Sequence, residues 1–138
     1  MQYRQRVRPA WTTRLLVAVV AVTSVFGLSA VVSPAQASVY STCTISRCPD
    51  ARTANTAWKA KGYPTTRGWV TWTGGQCSYA GGQYYNYEAE LPSGRTYYEY
   101  DVYPRTCGAA RDAYRIIVDK GLGKVWFSPN HYTDFYLL

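Results

Sequence analysis

Residues 97–103, with the sequence YYEYDVY, decide the fold of this 138-residue chain. Aromatic residues favour β-strands, and the segment alternates between two kinds of side chain. Since successive side chains of a strand point to opposite faces, Glu99 and Asp101 share one face, while Tyr98, Tyr100 and Val102 share the other. The segment therefore predicts a strand with one polar and one apolar face.

Segments on either side of this strand predict the rest of the fold. Residues 49–61 are typical of a helix, because a proline and an acid occupy the first turn and a glycine follows the last. Residues 65–83 lack a helical period, so we expect loops and short strands there. Three more strands are predicted at residues 114–118, 124–127 and 132–137. The order of elements predicts an α+β fold, with one N-terminal helix packed on a single antiparallel β-sheet.

Residues 1–37 have the composition of a secretory signal peptide. They contain four arginines and no acid, an apolar run at residues 15–32, and Ala35-Gln36-Ala37 as an A-x-A cleavage site. The alternative is a signal anchor that stays in the membrane, since the run is near the lower length limit for a span. We expect a secreted, extracellular protein with no membrane segment after cleavage. Residues 38–138 then form one domain.

The net charge permits a polyanionic partner without demonstrating one. The chain has 15 basic and 8 acidic residues, which give a formal charge of +7. Cleavage after Ala37 removes four arginines and no acid, which leaves a charge of +3. Many exported proteins are weakly basic for solubility alone, so the charge does not select between functions.

All the cysteines follow the predicted cleavage site: Cys43, Cys48, Cys77 and Cys107. Their even number and the oxidising context predict two disulfides, and the three possible pairings all remain open. A zinc site is the weaker alternative, because such sites use closely paired cysteines or Cys/His clusters and the only histidine is His131. We therefore expect neither a bound metal nor a cofactor.

Five titratable side chains are candidates for chemistry: Glu88, Glu99, Arg111, Arg115 and His131. A lone histidine is more often structural than catalytic, and each charged residue taken alone is equally typical of a solvated surface. Arg111 and Arg115 are four residues apart, a spacing that brings two guanidiniums towards one anion in a helix or a strand. The order of the five along the chain is more informative than any one of them.

Four segments form an ordered pattern: residues 86–92 (NYEAELP), residues 97–102 (YYEYDV), Arg111 with residues 115–117 (RII), and residues 130–132 (NHY) with Phe135. The pattern resembles the microbial guanyl-specific ribonucleases, the superfamily that includes barnase, and most closely its small secreted disulfide-containing branch. Cys43, Pro49 and residues 62–64 extend the resemblance upstream, whereas residues 68–78 look like an insertion relative to the family.

The resemblance implies a role for each of four catalytic residues. Glu99 corresponds to the general base that removes the proton of the ribose 2′-hydroxyl, and His131 to the general acid that protonates the departing 5′-oxygen. Arg111 and Arg115 correspond to the pair that holds the scissile phosphate, and they would also keep Glu99 ionised by lowering its pKa. We expect a 2′,3′-cyclic phosphate as first product, a bell-shaped pH dependence, and no cleavage of DNA, which lacks the 2′-hydroxyl.

The resemblance also implies a guanine site. Asn86 and Glu88 correspond to the family's recognition loop, where a carboxylate accepts hydrogen bonds from guanine N1–H and the exocyclic amine, and backbone amides donate to O6. Tyr84 and Tyr132 correspond to positions where the family keeps aromatic residues near the base. Asn130 departs from the related enzymes, which often have an acid beside the histidine.

These inferences favour one function over two alternatives. We expect a secreted, metal-independent endoribonuclease that acts as a monomer on single-stranded RNA and cleaves on the 3′ side of guanosine. A protein inhibitor is a partner suggested by family analogy alone. The alternatives are a secreted RNA-binding, protein-binding or toxin module with the same fold and little or no turnover, and an interaction domain with a chance match. The presence of all four catalytic residues favours the enzyme.

Overall fold

The computed structural model describes residues 36–138, so the predicted signal peptide lies outside the described residues except for its last two positions. The elements are β1 (Ser38–Tyr40), α1 (Cys48–Ala60), β2 (Gly68–Thr71), β3 (Cys77–Tyr84), β4 (Tyr97–Asp101), β5 (Arg115–Asp119), β6 (Lys124–Ser128) and β7 (Asp134–Leu137). A 3₁₀ turn at Thr73–Gly75 connects β2 to β3. Across this part of the chain, no helix has the length and apolar character needed to cross a membrane.

The seven strands of the described residues form one sheet in the order β1-β7-β6-β5-β4-β3-β2. The prediction of a single antiparallel sheet is wrong, because β1 runs parallel to β7, with Ser38 opposite Asp134 and Tyr40 opposite Tyr136. The sheet is therefore mixed, and the described domain is mostly β with one helix. Strands joined by a tight turn must be antiparallel, but β1 and β7 are far apart in sequence, so no turn fixes their relative direction.

Helix α1 covers the apolar face of the sheet and lies close to the predicted residues 49–61. Pro49 occupies its first turn, where the missing N–H costs no intrahelical hydrogen bond. Trp58 is fully buried, and its indole N–H donates to the carbonyl oxygen of Asp101 over 2.8 Å. The buried residues Ala51, Ala54, Tyr100, Ile116 and Phe127 belong to the same core cluster. The helix thus supports β4 from behind.

The other face of the sheet is divided between a small apolar cluster and a polar end. The cluster contains Leu91, Tyr97, Ile117, Trp126 and Phe135. Glu99 and Asp101 follow Tyr97 at two-residue intervals along β4, so they lie on the same face of the strand. The sharing of one face by Glu99 and Asp101 is as the alternation predicts, and it leaves both carboxylates on the side of the sheet opposite the helix.

Two disulfides join Cys43 to Cys48 and Cys77 to Cys107, which confirms the predicted number and selects one of the three pairings. The first closes the turn before α1. The second ties the start of β3 to the loop after β4, where Cys77 and Arg105 also exchange two backbone hydrogen bonds of 2.8 Å. The outer hairpin of β2 and β3 is thereby anchored beside the loop that leads to Arg111.

Candidate active site

All but one of the predicted site residues line a single cavity at the polar end of the sheet. The cavity has a volume of about 320 Å³, and the predicted residues in its wall are Tyr84, Asn86, Glu88, Glu99, Arg111, His131 and Tyr132. They come from the end of β3 and the loop after it, from the centre of β4, from the loop before β5 and from the loop between β6 and β7. The exception is Arg115, which is 3% exposed and lies against Asp101.

Glu99 is buried at the centre of β4, where a β-bulge in the neighbouring strand makes room for it. The register of β3 with β4 shifts between Ala80 and Gly82. Gly81 lies at this shift, so close to Glu99 that a Cβ atom on residue 81 would overlap the carboxylate. The placement of Glu99 therefore depends on a glycine at position 81.

Burial raises the pKa of Glu99 above its ordinary value of 4.5, and this effect outweighs the lowering by Arg111, Arg115 and Arg67. The expectation that arginines hold this pKa low is wrong in its net direction, although each arginine acts in the expected sense. The reason is that a carboxylate only 6% exposed loses most of its hydration. A raised pKa brings Glu99 closer to the proton affinity that suits a general base near neutral pH.

We expect the acid limb of the pH–rate profile to report the ionisation of Glu99. In the role of general base that the sequence predicts, Glu99 must be ionised to accept a proton. We therefore expect kcat/KM to fall as pH drops through the raised pKa, with half of it lost at a pH above 4.5. Arg67→Gln removes one of the charges that lower this pKa, so it moves the limb to higher pH. Steady-state rates on a dinucleotide across acid and neutral pH check both results. A limb at or below the ordinary carboxyl range would contradict the assignment.

Asp101 organises the arginines beside Glu99. It is fully buried, and its Oδ1 accepts hydrogen bonds from Nε and Nη2 of Arg111 over 2.9 and 2.6 Å. Nη1 of Arg115 lies 3.2 Å from the same oxygen, and Nη2 of Arg105 lies 3.6 Å from Oδ2. With two of its nitrogens held in this way, Arg111 places its remaining Nη1 3.7 Å from Oε1 of Glu99. Asp101 was not among the predicted site residues, although the alternation along β4 put it on the same face as Glu99.

His131 is held by a strained loop between β6 and β7. His131 and Tyr132 both have positive φ, 55° and 73°, which is uncommon for residues other than glycine. The His131 N–H donates to the Ala113 carbonyl oxygen over 3.0 Å, and the Tyr132 N–H donates to Ser128 Oγ over 2.8 Å. These bonds hold the exposed imidazole at the cavity that Glu99 also lines. Backbone strain of this kind concentrates at functional sites.

Asn130 braces the same loop. Its Nδ2 donates to Asp134 Oδ2 over 2.8 Å, and its Oδ1 accepts from the Asp134 N–H over 2.9 Å. Asn130 therefore has a structural role next to His131.

The loop after β3 is shaped by Asn86. Its Nδ2 donates to the Leu91 carbonyl oxygen over 2.8 Å, and its Oδ1 accepts from the Leu91 N–H over 3.1 Å. Asn86 also has a positive φ of 51°, and its carbonyl oxygen accepts from the Ala89 N–H. The amide of Asn86 is thus used to close its own loop, and Glu88 is the exposed acid that the loop presents to the cavity.

A second cavity of about 300 Å³ adjoins the first and shares Tyr84, Glu88, His131 and Tyr132 with it. The rings of Tyr84 and Tyr132 stack with centroids 4.9 Å apart. Glu88 and this aromatic pair therefore stand where the two cavities meet, and the pair offers a surface for a planar ring.

Arg67 lines the first cavity, although it is not among the site residues predicted from the sequence. It precedes β2, and its Nε donates to the Gly81 carbonyl oxygen over 2.9 Å. Its positive charge lowers the pKa of Glu99, as do the charges of Arg111 and Arg115. Nothing in the local sequence marks it, because its place in the site depends on the pairing of β2 with β3.

The family model described as ribonuclease matches residues 33–138 of the chain. No significant match was found among curated proteins or among solved structures. Within residues 36–138, no three His, Cys, Asp or Glu side chains form a group that could hold a metal ion.

Proposed function

Because the chain belongs to the ribonuclease family, we propose that it is a secreted, metal-independent endoribonuclease that cleaves single-stranded RNA on the 3′ side of guanosine. Family membership makes it an RNA-cleaving enzyme. The preference for guanosine, secretion and metal independence are the proposal. The observation that carries it is the convergence of Glu99, Arg111 and His131 with Glu88 on one cavity.

In the first step, Glu99 is the general base. Its carboxylate takes the proton of the 2′-hydroxyl as O2′ forms a bond to the adjacent phosphorus. The bond from phosphorus to O5′ of the next nucleotide breaks, and the protonated imidazole of His131 gives its proton to that oxygen. The products are a 2′,3′-cyclic phosphate and a free 5′-hydroxyl. Each positioned proton transfer contributes about 10²–10⁴-fold.

In the second step, the two residues exchange roles. The neutral imidazole of His131 removes a proton from water as the water oxygen attacks phosphorus. The bond from phosphorus to O2′ breaks, and the carboxyl group of Glu99 returns its proton to O2′. A 3′-phosphate remains, and both residues are restored to their starting states.

Arg111 stabilises the charge that develops on the phosphate oxygens. Its Nη1 lies next to Glu99 while Asp101 fixes the other side of the guanidinium, so the group is oriented before the substrate arrives. Fixed donors of this kind contribute most in sites that exclude water. Arg115 is buried and forms an ion pair with Asp101, so we assign it a supporting role in which it holds Asp101 and adds positive potential.

Glu88 is the residue that we propose recognises guanine. An exposed carboxylate at the junction of the two cavities can accept hydrogen bonds from N1–H and the exocyclic amine of guanine, whereas adenine lacks this pair of donors. Tyr84 and Tyr132 supply the aromatic surface for the base, and stacking on such a surface contributes about 1–3 kcal/mol per base.

We expect Glu88→Gln to lower kcat/KM for cleavage after guanosine by about 10- to 100-fold, because hydrogen bonds to a charged acceptor are worth about 1.5–3 kcal/mol. Cleavage after adenosine, which we expect to be slow in the parent protein, should stay the same and serves as the internal control. Rates on GpA and ApA dinucleotides measure the ratio. An unchanged ratio would remove Glu88 from the guanine site.

Secretion is proposed from the N-terminal segment and the two disulfides. Residues 1–37 have the signal-peptide pattern, and disulfides persist in oxidising compartments. One chain supplies every group the mechanism uses, so we propose that a monomer is active. A protein inhibitor stays a proposal by family analogy. The N-terminal sequence of protein exported from expression of the full chain tests the cleavage site, with Ser38 as the expected first residue.

Digestion of an RNA with all four nucleotides in the presence of a chelator tests the activity. The proposal predicts cuts confined to positions after guanosine, with cyclic phosphate ends that later become 3′-phosphates. Cuts after every nucleotide would refute the guanosine preference, and a need for a divalent cation would refute metal independence. Intact RNA with a folded protein would favour the alternative of a binding or toxin module with little turnover.

A further inference from the structure

The outer hairpin of β2 and β3 carries two aromatic rings on the face of the sheet that also carries Glu99, which we call the active face. Tyr79 and Gly81 are two residues apart in β3, and Gly81 faces Glu99, so Tyr79 points to the same side. Trp69 lies directly opposite Tyr79 in the register of β2 with β3. Their rings meet edge to face, with centroids 5.1 Å apart. The active face therefore continues past Glu99 onto the hairpin.

Trp69 is not needed for packing of the hydrophobic core between the helix and the sheet. The helix-facing side of β2 is provided by Val70, and Trp72 follows on the same side, so these two residues supply the hydrophobic contacts to the core. Trp69 points the other way and is 36% exposed. An exposed tryptophan beside a tyrosine is a stacking surface of the kind that binds unpaired bases.

Cationic groups flank this pair of rings on the side of the catalytic cavity. The guanidinium carbon of Arg111 lies 4.3 Å from the centre of the Tyr79 ring. Arg67, two residues before Trp69, lines the cavity and forms no ion pair among the described residues. Phosphate-binding groups next to an aromatic surface match the chemistry of a nucleotide.

The position of Tyr79 along β3 indicates which nucleotide would bind to the two rings. Tyr79 and Tyr84 lie on opposite sides of Gly81, and hence of the Glu99 carboxylate, along the strand. Guanosine is proposed to bind on the Tyr84 side, and the scissile phosphate at Glu99 and Arg111. The strand then continues past the phosphate towards Tyr79 and Trp69.

We propose that Trp69 and Tyr79, with Arg67, form a subsite for the nucleoside on the 3′ side of the scissile phosphate. The inference rests on the proposed function. It assigns a role to residues 68–78, which look like an insertion: the hairpin extends the RNA-binding face by one nucleotide.

The test compares two substrates that need the same catalytic groups. The dinucleotide GpA carries a 3′ nucleoside, whereas guanosine 2′,3′-cyclic phosphate carries none. Trp69→Ala lowers kcat/KM for GpA by about 5- to 150-fold, the range expected for loss of one stacked base, and leaves hydrolysis of the cyclic phosphate unchanged. Trp69→Phe retains most of the activity on GpA because it keeps a stacking ring.

Tyr40→Ala is the matched control, because Tyr40 is an exposed aromatic residue on the opposite edge strand and stacks on Tyr136. It leaves both rates unchanged. Equal losses on both substrates for Trp69→Ala would show that Trp69 only supports the fold, and unchanged rates would show that no base stacks there; either result overturns the subsite. Failure of the unaltered protein on both substrates would instead refute the proposed function.

Discussion

Glu99→Gln and His131→Ala are each expected to lower kcat/KM for RNA cleavage by about 10²–10⁴-fold, the usual contribution of one positioned acid or base. Glutamine matches glutamate in size, so it keeps the contact with Gly81 but cannot accept a proton at the operating pH. Burial raises the pKa of Glu99, which means that the ionised carboxylate is less stable in the folded protein than in water. We therefore expect little loss of stability in Glu99→Gln.

The double variant tests whether the two residues act as one catalytic unit. Residues that act together in one proton-transfer mechanism have strongly non-additive effects. Glu99→Gln combined with His131→Ala is therefore expected to be only slightly slower than the slower single variant. Single-turnover rates on a short RNA, with thermal unfolding as a check of folding, measure this. A single variant within tenfold of the parent rate would contradict the assigned role of that residue.

Gly81→Ala is expected to lower kcat/KM by about 10²-fold or more, although the substitution adds only one methyl group. The new Cβ would overlap the carboxylate of Glu99, so either the side chain or β3 must move. A displacement of about 1 Å at a reacting group is enough to cost about 10²-fold. Overpacking of this buried position also costs about 1–3 kcal/mol of stability.

Gly68→Ala is the matched control for Gly81→Ala. Gly68 lies in β2 of the same hairpin, and no atom lies within 4 Å of the Cβ that alanine would place there. Its activity and unfolding temperature should stay close to those of the parent. If Gly81→Ala were as active as Gly68→Ala, the bulge would not position Glu99, and the description of the site would be wrong at its centre.

The local patterns predict the helix and strands β4 to β7 well, whereas the eight-residue strand β3 is expected only as part of a region of loops and short strands. Alternation along residues 97–103 places Glu99 and Asp101 on one face, and the proline and glycine signals at residues 49–62 locate the helix within one residue at each end. These features depend on neighbours in sequence. The direction of β1 beside β7 depends instead on the pairing of two segments that are far apart in sequence. For this reason the prediction of an antiparallel sheet is wrong.

Long-range pairing also explains which site residues the sequence concealed. Arg67 and Gly81 enter the site only through the pairing of β2, β3 and β4 and through the bulge between Ala80 and Gly82. The net pKa shift of Glu99 depends on burial, which a list of charged neighbours does not show. The resemblance is to a whole folded domain, so it includes long-range pairing that local patterns lack. Seven of the eight site residues that it predicts accordingly line one cavity.

One comparison tests the central claim most directly, namely that the protein cleaves RNA after guanosine through attack by the 2′-hydroxyl. Protein purified after expression of the full chain is given a short RNA with one guanosine, and the same oligonucleotide with 2′-deoxyguanosine at that position, both in chelator. The account predicts one cut after guanosine that leaves a 2′,3′-cyclic phosphate, and no cut in the deoxy substrate. Cleavage of the deoxy substrate, or a product with a 5′-phosphate, would contradict it.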